Sequence, residues 1–88
     1  AVLVRYFAAA AAAAGVPEEH VASHTAVTRD ELQQLLVSLH PVPPAGEPAL
    51  AQVLPRCSWL VDSVAARDPQ APVSPGATGD VLPPFAGG

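Results

Sequence analysis

The sequence has no lysine, and four arginines (Arg5, Arg29, Arg56 and Arg67) face eight carboxylates, for a net charge of −4. Nucleic-acid affinity rests largely on Lys and Arg neutralising phosphates, so a nucleic-acid partner is not expected. An acidic domain suits a basic protein partner better. Without lysine the chain cannot form a side-chain isopeptide bond with another copy of itself, which excludes self-conjugation unless an amino terminus is used. A single cysteine, Cys57, excludes an intrachain disulfide and a CxxC-type zinc site, and it suits a reducing cytoplasm. No apolar run approaches the ~18 residues of a membrane span, so no membrane role is expected. The opening "AVLVRYFAAAAAAAGV" has the flavour of a secretory h-region with an A-x-A site. Arg5 interrupts it and the polar start is missing, so it is not read as a signal peptide. There is no phosphate-cradling glycine loop and no G-x-S-x-G, and an autonomous catalyst is not expected.

At 88 residues the chain suits one small domain. Half of it is hydrophobic, but much of that is alanine, so the core must come from Leu and Val with Tyr6, Phe7, Trp59 and Phe85. "VLVRYF" (Val2 to Phe7) reads as a mostly covered strand. "AAAAAAAG" reads either as one or two helical turns stopped by Gly15 or as a low-complexity loop. "EEHVAS" (Glu18 to Ser23) reads as a half-exposed strand forming a wide hairpin with the first.

"VTRDELQQLLVSLHP" carries the clearest local signal. Thr28 and Glu31 make a capping box, Val27 and Leu32 a hydrophobic staple, and Asp30 and Glu31 suit the positive end of the helix dipole. Leu32, Leu35, Leu36 and Leu39 predict one apolar stripe, and Pro41 ends the helix. "ALAQVL" predicts a short second helix with Leu50, Val53 and Leu54 inward, broken by Pro55. "CSWLVDSVAA" predicts a strand, a turn at Asp62-Ser63 and a return strand. "RDPQAPVSPGATG" reads as loop, and "DVLPP" as a short last strand stopped by Pro83-Pro84. The order β-β-α-β-β-β, with one long helix across one sheet, is an α+β two-layer design.

Candidate sites in the body are weak. His20 and His24 have HxxxH spacing, but on a strand they stand ~13 Å apart and cannot share a metal. No metal site is expected. His40 is expected to end the main helix and complement its dipole when protonated. Cys57 leads into an apolar strand and reads as a small hydrophobe rather than a nucleophile. Asp62 and Asp68 sit beside turn formers, and Asp62 reads as turn chemistry.

The tail is different. Pro83-Pro84 is stiff and extended, so it ends the sheet and projects the last four residues away from the body. Phe85 can anchor this arm or enter a partner's pocket. Ala86, Gly87 and Gly88 form a slim tip, and Phe85 to Gly88 reach ~13 Å when extended. The reactive group at that tip is the terminal carboxylate of Gly88, inert until activated. This describes a carried substrate better than a catalyst.

The order of "VRYFAAAAAAAG", "LQQLLVSL", "VLPRCSWLVDSVA" and "GDVLPPFAGG" resembles the MoaD/ThiS group of ubiquitin-like sulfur carriers, most closely the small subunits of molybdopterin synthases. The terminal PPFAGG is the specific part. The resemblance implies a β-grasp body over residues 1–84, a mixed sheet of about five strands with one main helix across one face, and a tail at 85–88. It implies first and last strands side by side and parallel at the sheet centre. It also implies that an E1-like adenylyltransferase/sulfurtransferase adenylates the Gly88 carboxylate and that sulfur replaces oxygen to give a thiocarboxylate. The tail then enters a large synthase subunit, with Pro83, Pro84, Phe85, Ala86, Gly87 and Gly88 as partner-binding residues. Any ATP, Mg²⁺ or Zn²⁺ belongs to the activating partner. Sulfur delivery for thiamine, cysteine or a specialised metabolite is an alternative, as is a ubiquitin-like modifier or interaction domain without sulfur chemistry. Three features depart from the family: Ser63 where Gly is common, Gly79-Asp80 where an apolar residue usually enters the last strand, and the alanine tract. The second is expected to weaken or shorten that strand.

Overall fold

The computed structural model describes residues 1–84, and the Phe85 to Gly88 tip lies outside the described residues. The element order is β1 (Val2–Tyr6), α1 (Ala9–Ala14), β2 (Glu18–Val21), β3 (Val27–Thr28), α2 (Arg29–Leu39), α3 (Leu50–Val53), β4 (Ser58–Val61), β5 (Val64–Ala65), β6 (Pro72–Val73) and β7 (Thr78–Leu82). Five strands form one mixed sheet in the order β2-β1-β7-β4-β5. The first and last strands are parallel neighbours at its centre, with Leu3 opposite Thr78 and Tyr6 opposite Val81, as the resemblance implied. β2 and β4 flank them antiparallel.

The β1 pattern explains the layering. Val2, Val4 and Tyr6 alternate with Leu3 and Arg5, so one set points to each face. Val2, Val4, Tyr6, Trp59 and Val81 are buried in one core with Leu32 and Leu36 of α2, and with Leu50 and Leu54. The alanine tract forms a helix, which settles the two readings left open by the sequence. Ala10, Ala13 and Ala14 are buried in the core, where larger side chains would hold α1 off the sheet. Gly15 ends it at φ 80°. A Cβ there would meet Pro44 at 3.1 Å, so both the turn and the close approach call for glycine.

The α2 helix begins as expected. Thr28 Oγ1 accepts from the Glu31 amide at 3.0 Å, and the Thr28 amide donates to Glu31 Oε1 at 3.0 Å. The apolar stripe is narrower than the spacing predicts. Leu32 and Leu36 are buried, whereas Leu35 and Leu39 remain 38% and 48% exposed. The small α3 and the β3-β6 ladder cover less of the helix than a full sheet face would.

Other expectations are corrected. "RDPQAPVSPGATG" is not all loop, because Pro72–Val73 pairs antiparallel with Val27–Thr28 in a separate two-stranded ladder. A two-residue strand leaves no alternation to read. The "ALAQVL" helix ends at Val53, ahead of Pro55 as expected, but the chain does not turn straight into loop. The chain tightens into a 3₁₀ turn over Leu54–Arg56, whose first positions tolerate proline. The second strand stops at Val21 rather than Ser23.

Gly79-Asp80 does not shorten the last strand, which runs five residues from Thr78 to Leu82. Two contacts account for this. Gly79 leaves space that Trp59 fills, and a Cβ on it would come within 3.3 Å of the indole. On the opposite face Asp80 lies directly across from Arg5 and forms a bidentate pair with it, Nε to Oδ1 at 2.6 Å and Nη2 to Oδ2 at 2.8 Å. Aligned fork-on-carboxylate geometry fixes register as well as adding energy. The charge therefore staples the central strand pair. Asp62 and Ser63 take φ values of 49° and 69°, the twisted hairpin turn in which glycine is common. Asp62 also works beyond its turn. Its carboxylate accepts from the Thr78 amide at 2.9 Å and its amide donates to the Thr78 carbonyl at 2.8 Å, tying the hairpin to the start of β7.

Candidate functional site

The root of the tail is built by the central strand pair. β7 ends at Leu82, and the Phe7 amide still donates to the Val81 carbonyl at 3.2 Å, so pairing continues almost to the prolines. Pro83 and Pro84 cannot extend the ladder, because proline has no N–H to donate. Pro83 is half-buried and Pro84 exposed. The chain thus leaves the body from the end of a strand that is paired on both sides.

Two grooves flank this exit and share Ala9, Pro83 and Pro84 as lining. One, of about 610 Å³, is lined further by Phe7, Ala8, Ser58 and Leu82 and is mostly apolar. Phe7 is 40% exposed there, a large aromatic ring left open beside the arm. The other, of about 310 Å³, adds Gln52 and Arg56. Ala8 shapes the first groove by turning the chain sharply from β1 into α1, at φ 48° and ψ −123°. Backbone strain of this kind in a non-glycine residue persists only where surrounding structure imposes it.

Phe7, Leu82 and Arg56 were not singled out by the sequence as site residues. Leu82 adjoins Pro83 in the chain, but Phe7 and Arg56 are remote from it. The parallel β1-β7 pairing is what brings Phe7 to the arm, and no local pattern reveals that pairing. Pro83 and Pro84 stand where the sequence put them, at the end of the last strand. Phe85, Ala86, Gly87 and Gly88 lie outside the described residues.

The remaining candidates do not gather into a site. His20 and His24 are both exposed. Among the described residues, no group of three or more His, Cys, Asp and Glu side chains is placed to hold a metal ion. Cys57 is half-buried, its Sγ donates to the Val53 carbonyl at 3.3 Å, and burial pushes its thiol pKa up. That setting disfavours the thiolate, as a packing residue requires and a nucleophile does not. Asp68 accepts from the Gln70 amide at 2.9 Å within a turn.

His40 does more than end α2. Its Nε2 meets Glu19 Oε2 at 2.5 Å, and the same oxygen accepts from the Tyr6 hydroxyl at 2.6 Å. The Tyr6 and His40 rings also meet edge to face, 6.3 Å between centroids. Burial, then the Glu19 hydrogen bond and charge, raises the Tyr6 pKa far above its ordinary value. This cluster ties β1, β2 and the end of α2 together. It is a structural clasp, and none of its residues lines the tail grooves.

No protein-family model matches the chain, and no curated protein matches it by sequence. Solved structures do. SAMP1 from Haloferax volcanii is 22% identical, with 99% of this chain and 98% of that one covered and a TM-score of 0.74. A putative molybdopterin converting factor subunit 1 from Pyrococcus furiosus is 22% identical over 96% of this chain and 97% of that one, TM-score 0.72. A chain in the complex of subunits 1 and 2 of the molybdopterin-converting factor from Helicobacter pylori is 20% identical over 99% and 97%, TM-score 0.62. These likenesses establish a β-grasp fold for the described residues. No helix among the described residues is long and apolar enough to cross a membrane.

Proposed function

We propose that the chain is a sulfur carrier of the MoaD/ThiS type serving molybdopterin biosynthesis in the cytoplasm. The observation that carries this reading is the place where the chain leaves the sheet. The parallel central strands, stapled by Arg5 and Asp80, end at Pro83-Pro84 beside an open apolar groove. Likeness to two proteins described as molybdopterin-converting factor subunits supports the same choice.

In this reading Gly88 ends the chain, and its carboxylate is the working group. An oxygen of that carboxylate attacks the α-phosphorus of ATP on an E1-like partner, forming an acyl adenylate and releasing pyrophosphate. Hydrosulfide delivered by the partner system then adds at the acyl carbon, AMP leaves, and loss of a proton gives the Gly88 thiocarboxylate. ATP, its Mg²⁺ and any Zn²⁺ are held by that partner, and this chain contributes no cofactor site. Its own residues position the group. Pro83 and Pro84 keep the arm extended, Phe85 anchors it in a partner's pocket, and Ala86 and Gly87 leave the tip before Gly88 narrow enough for a tight channel. Phe7 and Leu82 offer the apolar surface on which a large synthase subunit rests. The Helicobacter pylori neighbour, solved in complex with a second subunit, is the precedent for such a partner.

A second reading, a ubiquitin-like modifier, is favoured by the likeness to SAMP1, described as a small archaeal modifier protein. Both readings begin with adenylation, so the separating experiment is transfer. The thiocarboxylated chain is mixed with a large synthase subunit and a pterin precursor. Sulfur appearing in the pterin supports the carrier reading. An isopeptide adduct on other proteins, with no pterin product, replaces it with the modifier reading.

A further inference from the structure

We propose that Arg56 docks the adenylating partner by pairing with a carboxylate on that partner's surface. The inference rests on the carrier reading and adds the chemistry by which the arm is captured. Arg5 is engaged by Asp80, and Arg29 donates from Nη1 to the carbonyls of Ala66 and Arg67 at 2.9 and 3.1 Å. Arg56 is exposed and has no ion-pair partner among the described residues. It is the last residue of the 3₁₀ turn after α3, whose backbone fixes it in the wall of the 310 Å³ groove against Pro83 and Pro84.

Among the described residues the groove lining holds no acidic side chain, and its other polar side chain is the Gln52 amide. On a chain of net charge −4, the arm is therefore flanked on this side by an uncompensated cation. Arginine presents a planar fork of donors that suits a carboxylate bidentately. A contact of this kind at a rim speeds encounter more than it slows release. That is what a carrier needs from an activating enzyme it must leave after each cycle. The apolar groove across the arm, with Phe7 and Leu82, has the opposite chemistry and suits a longer-lived contact.

The test is steady-state adenylation by the activating enzyme at low ionic strength, with carrier and ATP varied separately. Arg56→Glu raises the KM for the carrier about tenfold, and Arg56→Gln raises it less. The kcat and the KM for ATP stay unchanged, and the difference between wild type and Arg56→Glu shrinks as salt is added. Arg67→Glu, reversing an exposed charge in another cavity, behaves as wild type. Equal urea midpoints for the variants confirm that the fold is intact. A carrier KM unaffected by Arg56→Glu overturns the proposal. So does a raised KM for ATP, which would make the nucleotide the anion that Arg56 meets. If the wild-type chain is not adenylated at all, the carrier reading falls first and takes this one with it. Normal adenylation of wild type and Arg56→Glu alike removes Arg56 alone.

Discussion

Replacing Tyr6 with Phe should change how stability depends on alkaline pH, and the direction follows from the clasp. Tyr6 is 3% exposed, and its hydroxyl donates to Glu19 at 2.6 Å. A hydrogen bond to a charged acceptor contributes about 1.5–3 kcal/mol, and Glu19 keeps its contact with His40 when the hydroxyl is removed. Tyr6→Phe should therefore cost about 1.5 kcal/mol at pH 7, the low end of that range. The sign at high pH is opposite. The phenol of the folded protein is held neutral by burial, and that of the unfolded chain ionises near pH 10. Above that pH the unfolded state releases a proton that the native state keeps. Wild-type stability then falls by up to about 1.4 kcal/mol per pH unit, while Tyr6→Phe is spared this loss. The two stability curves should meet about one pH unit above the ordinary tyrosine value.

The composition makes this measurement clean. The chain has one tyrosine and no lysine, so Cys57 is the other side chain titrating in that window. Its thiol is shifted in the same direction, so both proteins are compared in a Cys57→Ser background. Unfolding by urea is followed by fluorescence of Trp59, the single tryptophan, which is 2% exposed. Parallel curves for the two proteins from pH 9 to pH 11 would show that the native phenol ionises freely, and the clasp would be refuted.

Packing and backbone geometry set three further outcomes. Leu36→Ala should cost about 3 kcal/mol, lowering Tm by about 12–24 °C, whereas Leu35→Ala should cost below about 1 kcal/mol. Equal losses in thermal unfolding would mean that α2 is rotated on the core. Ser63→Gly should stabilise the fold by less than about 1 kcal/mol, seen as a higher urea midpoint, because relief of the positive φ exceeds the added flexibility of the unfolded chain. A lower midpoint would place the turn in another conformation. Cys57 should react with iodoacetamide at neutral pH several-fold more slowly than a cysteine in an unstructured peptide. Faster reaction would reopen a nucleophilic role.

What the sequence made legible was local. The Thr28–Glu31 box, the Asp62-Ser63 turn, the strand at Val2 and the stop at Pro83 each depend on residues within a few positions of one another. What it hid was long-range. Arg5 and Asp80 are 75 positions apart, and read singly each looks like a flaw in an apolar strand. Glu19 and His40, 21 apart, look like ordinary surface residues until Tyr6 is placed between them. The same holds for the site. Pro83-Pro84 and the residues after it stood out by composition, but Phe7 and Arg56 join them through tertiary pairing alone. Leu35 and Leu39 fell on the predicted stripe, yet helical spacing does not say how wide a face the rest of the fold will cover.

Whether Gly88 carries sulfur as a thiocarboxylate, as proposed, is decided by intact-mass spectrometry. The chain is co-expressed with an E1-like adenylating enzyme and a sulfur donor, beside one variant lacking Gly88 and another with a residue added after it. An oxygen-for-sulfur mass increase is expected in the unaltered chain, mapped to Gly88 by fragmentation, and none in either variant. An unmodified mass in the unaltered chain under conditions that consume ATP, or the same increase in both variants, would contradict the proposal.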